Sequence, residues 1–207
     1  MKKLLVLVLL LQSHFIYSQN ADIYLLRKIN LGRTEKLDDT FSHISMTARP
    51  FSIAAPILVY GIGIIDKNKE TRQKAVIMGA SYFVATGIST TLKYAIERKR
   101  PYETYPDIEK ISGGGSPSFP SGHTSDAFSN ATSLSLAFPK WYVIVPSYAY
   151  ASAVGYSRMH LGVHYPSDVI AGALIGTGSA ILCYKAQKWL NQKKHQRRKI
   201  LIADPLK

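Results

Sequence analysis

Five apolar segments, Phe51 to Ile65, Ala75 to Ile96, Thr124 to Phe138, Trp141 to Tyr156 and Val169 to Trp189, leave this chain few ways to fold. Each is closed off by proline, glycine or a cluster of charge. They are long for strands and rich in Ala, Leu, Ile and Gly, so all five are predicted to be helices. The fold class that follows is all-α, a helical bundle. Two of the segments reach the roughly 20 residues that a membrane span needs, and the others do so only if flanking residues join them. Many positions inside them are Ser, Thr, Gly or Ala, which let helices approach closely within a bilayer. The same composition would also suit a compact soluble helical core, and that is the competing reading.

Ahead of these segments, MKKLLVLVLLLQSHFIYSQ has two lysines, an unbroken apolar run from Leu4 to Leu11, and small polar residues near Ser18. This reads as a signal peptide over 1–18, with an uncleaved anchor helix as the alternative. The remainder, 19–207, is one domain by length. Residues 20 to 48 mix Ile23, Leu25, Leu26 and Ile29 with Arg27, Lys28 and Arg33, a pattern compatible with an interfacial helix. Cys183 is the only cysteine, so no intrachain disulfide framework exists.

Charge placement tests the membrane reading. The net charge is +13, and eight Lys or Arg lie in the basic C-terminal tail 185–207. No zinc-finger spacing, aromatic RNA motif or basic recognition helix accompanies them, so nucleic acid is excluded as a partner. Basic tails of this kind face the cytoplasmic surface of a membrane. With residues 19 to 50 outside, the loop Asp66 to Lys74 falls inside with four basic residues against two acidic. The tail falls inside as well. The outside loop from Glu97 to Arg100 is also basic, against the rule, and its cations call for a chemical explanation. A membrane-embedded bundle of about five transmembrane helices is the expectation.

Three constellations carry that chemistry. In KYAIERKRP, Lys93 and Arg100 are seven apart, so a helix running to Pro101 would put both on one face near its end. In SFPSGHTS, Pro120, Ser121 and Gly122 read as a tight turn into a helix, whose unpaired N–H groups favour an anion, with His123 beside it. In SRMHLGVHYPSD, Pro166 suits the first position of a helix, which puts Asp168 in its first turn within reach of His164. A carboxylate on Nδ1–H leaves Nε2 with the free lone pair. Arg158 accompanies them, whereas His160 has no partner by spacing and reads as structural. All these residues fall at the outer ends of the predicted helices.

The three motifs together resemble the type 2 phosphatidic acid phosphatase superfamily, whose signature is K-x6-R-P, then PSGH, then S-R-x5-H-x3-D. Every defining position is present, in order, across residues 93 to 168: Lys93, Arg100 and Pro101; Pro120, Ser121, Gly122 and His123; Ser157, Arg158, His164 and Asp168. The resemblance implies a metal-independent phosphatase without cofactor. In it His164 is the nucleophile that becomes phosphohistidine, oriented by Asp168. His123 protonates the leaving oxygen and then activates water. Lys93, Arg100, Arg158, the Ser121 hydroxyl and the Gly122 N–H hold the phosphoryl oxygens. The expected substrate is a phosphorylated lipid: a phospholipid, a polyprenyl diphosphate or a lipid A phosphate. The expected place is the bacterial cytoplasmic membrane, with the site facing the periplasm. Soluble non-specific acid phosphatases share the motifs and are the alternative. Vanadium haloperoxidases share them too, in longer and less apolar chains. The loop Tyr102 to Phe119 is expected to carry head-group selectivity, with Tyr102 and Tyr105 at the interface and mobility from Gly113, Gly114 and Gly115.

Overall fold

A computed structural model of the chain describes residues 21–203, and the predicted signal peptide lies outside them. The described residues contain no strand. They form α1 (21–30), a 3-10 turn at Glu35–Leu37, α2 (Asp38–Ile65), α3 (Lys69–Ile96), the single turn α4 (Pro101–Thr104), α5 (Gly122–Ala137), α6 (Trp141–His160) and α7 (Pro166–Ala203). The connections between α2 and α3 and between α5 and α6 are short, which makes those neighbours antiparallel. Asn68 starts α3 by accepting the Thr71 backbone N–H at 3.1 Å.

The long helices bury small residues and expose large apolar ones. On α2 the buried positions are Ser45, Ala48, Ser52, Ala55, Val59 and Gly63, and on α3 they are Ala75, Met78, Ser81, Ala85 and Ser89. Their three- and four-residue spacing marks one face of each helix. The outward residues Ile57, Leu58, Phe83, Leu174 and Leu182 are 61–74 % exposed. Contiguous apolar surface of this kind is costly in water and suited to lipid. Among the described residues three stretches are long and apolar enough to cross a membrane: Glu35–Ile65, Lys69–Thr104 and Pro166–Lys194. This is a membrane-protein pattern, and it decides against the soluble core.

The helix α5 stands at the centre, against α2, α3, α6 and α7. Ten of its residues are buried, all of them Ser, Thr, Ala, Asn or Asp. A helix enclosed by other helices meets no lipid, so it has no need of an apolar surface. Its closest neighbour is α7, where glycines take the place of side chains. A Cβ on Gly176 would stand 2.3 Å from the Ser125 carbonyl oxygen and 2.7 Å from the Ser129 nitrogen, and one on Gly172 2.5 Å from the Ser121 carbonyl oxygen. These are backbone atoms that cannot turn aside. Gly176→Ala is therefore expected to lower the thermal midpoint in detergent by an amount equivalent to about 1–3 kcal/mol. Gly178→Ala on the same helix, where a Cβ meets nothing within 4 Å, should leave it unchanged. Equal midpoints for the two variants would refute close α5–α7 packing.

The segment read as interfacial divides in two. Residues 38 to 48 are the first turns of α2, where Ser45 and Ala48 face the bundle and Asp39, Thr40, His43 and Thr47 are exposed, so no apolar run marks the helix start. Residues 21–30 form α1, which lies across one end of the bundle. Ile23 and Leu26 pack there with Ile108 and Tyr165, against Tyr102, Tyr105 and Met159. Asn30 donates to the carbonyls of Glu109 (3.1 Å) and His160 (2.9 Å) and accepts the Glu109 N–H at 2.9 Å. Arg27 adds an ion pair to Asp107 at 2.7 Å.

Candidate active site

The C-terminal ends of α3 and α6 and the N-terminal ends of α2, α5 and α7 meet at the end of the bundle that α1 covers. Lys93 stands on the last turn of α3, and its Nζ donates to the carbonyls of Pro117 (2.7 Å) and Ser118 (3.3 Å). Arg100 does not share that helix. The α3 helix stops at Ile96, Glu97 turns left-handed at φ 50°, and Arg100 is extended at φ −75°, ψ 157°. Pro101 accounts for the extended backbone at Arg100, whereas the helix itself ends four residues earlier at the left-handed Glu97. The turn brings Arg100 back over the site, buried, with Nε on the Ser116 carbonyl (2.8 Å) and a terminal nitrogen on the Val163 carbonyl (2.8 Å).

Gly114 makes room for this cation, since a Cβ there would fall 2.8–3.0 Å from the Arg100 guanidinium. The Tyr102 hydroxyl donates to the Gly114 carbonyl at 2.9 Å. The middle glycine of the triple run is thus a close-approach residue, and Tyr102 and Tyr105 pack beneath α1 instead of facing lipid.

Ser121 precedes α5 as its N-cap, fully buried, with its hydroxyl paired to Thr124 Oγ1 at 2.8 Å. Its backbone N–H donates to the Asp168 carbonyl at 3.0 Å. A Cβ on Gly122 would lie 3.8 Å from Lys93 Cε, so the first residue of α5 adjoins the lysine stem. His123 follows, partly exposed. One turn on, buried Asp126 accepts from Thr86 Oγ1 (3.0 Å) and Arg49 Nε (3.5 Å), tying α2, α3 and α5 together below the site.

His164 lies between α6 and α7 and is 1 % exposed. Its Nδ1 is 3.3 Å from Asp168 Oδ2, which also accepts from the Ser118 hydroxyl (2.5 Å) and the Tyr165 N–H (3.0 Å). An ionised carboxylate only accepts, so the Nδ1 proton belongs to the imidazole and Nε2 keeps its lone pair. Burial pushes the imidazole down from 6.5 to about 3, against the opposing pull of Asp168. His164 is therefore neutral at physiological pH. The Arg158 carbonyl accepts from the His164 N–H at 3.3 Å, and its guanidinium, buried, donates to the Ser45 hydroxyl. His160 finds its partner far off in sequence, with Nε2 2.7 Å from Asp38 Oδ1 at the start of α2.

All three constellations are thus joined through the segment Ser116 to Ser118. Sequence reasoning assigned no role to Ser118, although it lies within the quoted SFPSGH, nor to Arg98, which donates to Asp168 Oδ1 at 2.7 Å. A neutral imidazole with a free lone pair, three cations and a helix N-terminus suit nucleophilic attack on a phosphoryl group.

Residues 74–192 match the family profile of the PAP2 superfamily. The chain belongs to the PAP2 superfamily. One PAP2 relative, the undecaprenyl-diphosphatase of Sulfolobus acidocaldarius, is 29% identical over 168 residues, 78% of this chain and 76% of that protein. The lipid A 4'-phosphatase of Bacteroides thetaiotaomicron is 38% identical over 71 residues, 34% of this chain and 32% of that protein. Among solved structures, LpxE of Aquifex aeolicus superposes with a TM-score of 0.70 at 29% identity, covering 80% of this chain and 95% of that one. As a PAP2 protein with these relatives the chain is a phosphatase. The PAP2 match begins at residue 74, so α1 and α2 lie outside it.

Proposed function

We propose that this phosphatase hydrolyses the phosphate ester or anhydride of a membrane lipid, of the phospholipid, polyprenyl diphosphate or lipid A type, through a phosphohistidine at His164. The observation that carries the reading is a buried neutral His164 held by Asp168 at one end of a bundle whose outer faces are apolar. The relatives' names, undecaprenyl-diphosphatase and lipid A 4'-phosphatase, point to the same substrate class.

In the first step His164 Nε2 attacks phosphorus in line, the bond to the lipid oxygen breaks, and His123 gives that oxygen its proton. In the second step water attacks the phosphorus and the P–N bond breaks, with His123 taking the water proton. Inorganic phosphate leaves and both histidines return to their starting states. Lys93, Arg100, Arg158 and the Gly122 N–H hold the phosphoryl oxygens, as catalysis of phosphoryl transfer by positioning and charge requires. The Ser121 hydroxyl joins them by accepting from Thr124 and turning its own proton to the phosphate.

The opposite end of the bundle carries the 66–74 loop and the basic helix end from Lys185. Positive charge there supports a cytoplasmic location for that end and a periplasmic one for the site. In this orientation α5 and α6, about 24 and 30 Å long at 1.5 Å per residue, complete five crossings.

The test is phosphate release by the detergent-solubilised protein, with EDTA present. Undecaprenyl diphosphate, phosphatidic acid, phosphatidylglycerol phosphate and lipid A are compared with a water-soluble aryl phosphate. At least one lipid is expected to exceed the aryl phosphate in kcat/KM by about tenfold or more, the return on transition-state binding of the remote lipid portion. Equal turnover of lipid and soluble ester would refute the lipid assignment.

A further inference from the structure

The His164 dyad uses only one oxygen of Asp168. The other, Oδ1, accepts from a terminal nitrogen of Arg98 at 2.7 Å, and that nitrogen also reaches Ser167 Oγ at 2.7 Å. The second terminal nitrogen of Arg98 donates to Asp22 Oδ2 at 2.7 Å. Asp22 Oδ1 in turn accepts the Ser167 backbone N–H at 2.8 Å, and the Ser167 hydroxyl donates to Oδ2. The guanidinium lies over the Tyr165 ring, 3.8 Å from its centroid. Asp168 and Asp22 are 0 % and 7 % exposed. Asp22 belongs to α1, outside the span matched by the family, and Arg98 is not among the signature positions quoted above.

The geometry points to Arg98 and Asp22 as positioning residues for the nucleophile, in an alternating line Asp22, Arg98, Asp168, His164 that fixes the Asp168 carboxylate and through it the aim of His164. The inference rests on the proposed role of His164. The Ser118 hydroxyl and the Tyr165 N–H hold Oδ2, but with Oδ1 unpartnered the carboxylate can still tilt about that oxygen and misalign the hydrogen bond it accepts from His164 Nδ1–H. Arg98 removes that freedom by occupying Oδ1. Asp22 holds Arg98 from behind, and it also satisfies an N–H in the first turn of α7, a group that helix geometry leaves without a partner. Stacking on Tyr165 sets the plane of the guanidinium, a constraint that lysine cannot reproduce. The α1 helix thereby reaches the chemistry without touching phosphate.

A double-mutant cycle in the full chain tests this, with kcat and KM measured on a lipid that the wild type hydrolyses. Arg98→Ala should lower kcat by roughly 10–100-fold, the scale seen when a residue orienting a functional histidine is removed elsewhere. KM should stay within about twofold, because no phosphate contact is lost. Arg98→Lys and Asp22→Asn should fall between that variant and wild type. In an Asp168→Asn background, Arg98→Ala should cost less than about twofold more, since a residue acting through Asp168 has nothing left to act on. Arg27→Gln breaks the ion pair to Asp107 that also holds α1, and it should leave kcat unchanged.

Full additivity of Arg98→Ala with Asp168→Asn, a rise in KM at constant kcat, or an Arg27→Gln loss equal to that of Asp22→Asn would each overturn the inference. If Arg98→Ala does not fold, Arg98→Lys and Asp22→Asn carry the same cycle. Retained activity in His164→Ala would instead refute the nucleophile assignment, so the two failures are distinguishable.

Discussion

Replacing His164 with alanine should abolish phosphate release, by roughly 10⁴–10⁶-fold in kcat, as when the attacking group of a covalent mechanism is deleted. No neighbour can take its place. Lys93 Nζ donates to the Pro117 and Ser118 carbonyls, and the arginines have no lone pair to offer. His123 is fixed at the start of α5, on a different segment. The variant should still bind phosphate, because Lys93, Arg100 and Arg158 are untouched, and competition by inorganic phosphate in a binding assay separates lost chemistry from a lost fold. Activity within tenfold of wild type would end the phosphohistidine scheme. The same residue makes the fold sensitive to acid. Its folded value, about 3, lies below the unfolded 6.5, so the folded state binds fewer protons. Its contribution to stability is whole above pH 6.5 and declines as pH falls from there towards 3. His164→Asn removes this contribution, so its thermal midpoint should fall less steeply than that of wild type between pH 7 and pH 4. Parallel slopes would contradict the burial of a neutral imidazole.

Much of this site is legible in the sequence because its parts are local. The Pro166 start of α7 puts Asp168 in a first turn, and the structure has Asp168 accepting the Tyr165 N–H three residues back. Helix existence is legible for a similar reason: apolar runs bounded by breakers can be read without knowing their neighbours. What sequence misses are contacts between distant segments. Nothing near Asp22 indicates that it meets Arg98, 76 residues away, or that His160 meets Asp38, 122 residues away. The spacing of Lys93 and Arg100 predicts one helix for both, but Pro101 acts only on Arg100, and the break itself needs a left-handed Glu97, a position no side-chain pattern marks. Average hydropathy near zero, −0.01, understates the membrane character for a structural reason. Many residues that face inward, such as Ser52, Ser81 and seven of the ten buried on α5, are polar, and they dilute the apolar faces that meet lipid.

The largest remaining effect is expected at His123, and its size should depend on the leaving group. Its exposure differs from that of His164: the nucleophile is covered, whereas His123 is partly open to solvent, where a departing oxygen and an arriving water must pass. For a lipid monoester the leaving group is an alkoxide, which cannot depart unprotonated at neutral pH, so His123→Asn should lower kcat by about 10²–10⁴-fold, the usual contribution of a general acid. For an aryl phosphate the phenolate departs unaided, and the first step should be nearly spared. The second step still lacks its base, so the phosphoenzyme must accumulate. Rapid mixing of His123→Asn with the aryl ester should therefore give a burst of phenol equal to the enzyme present, followed by slow turnover. The burst should be accompanied by an acid-labile phosphoryl group on His164. Equal losses on both substrates with no burst would mean that His123 acts before the chemical step, on binding, and would remove it from the proton transfers.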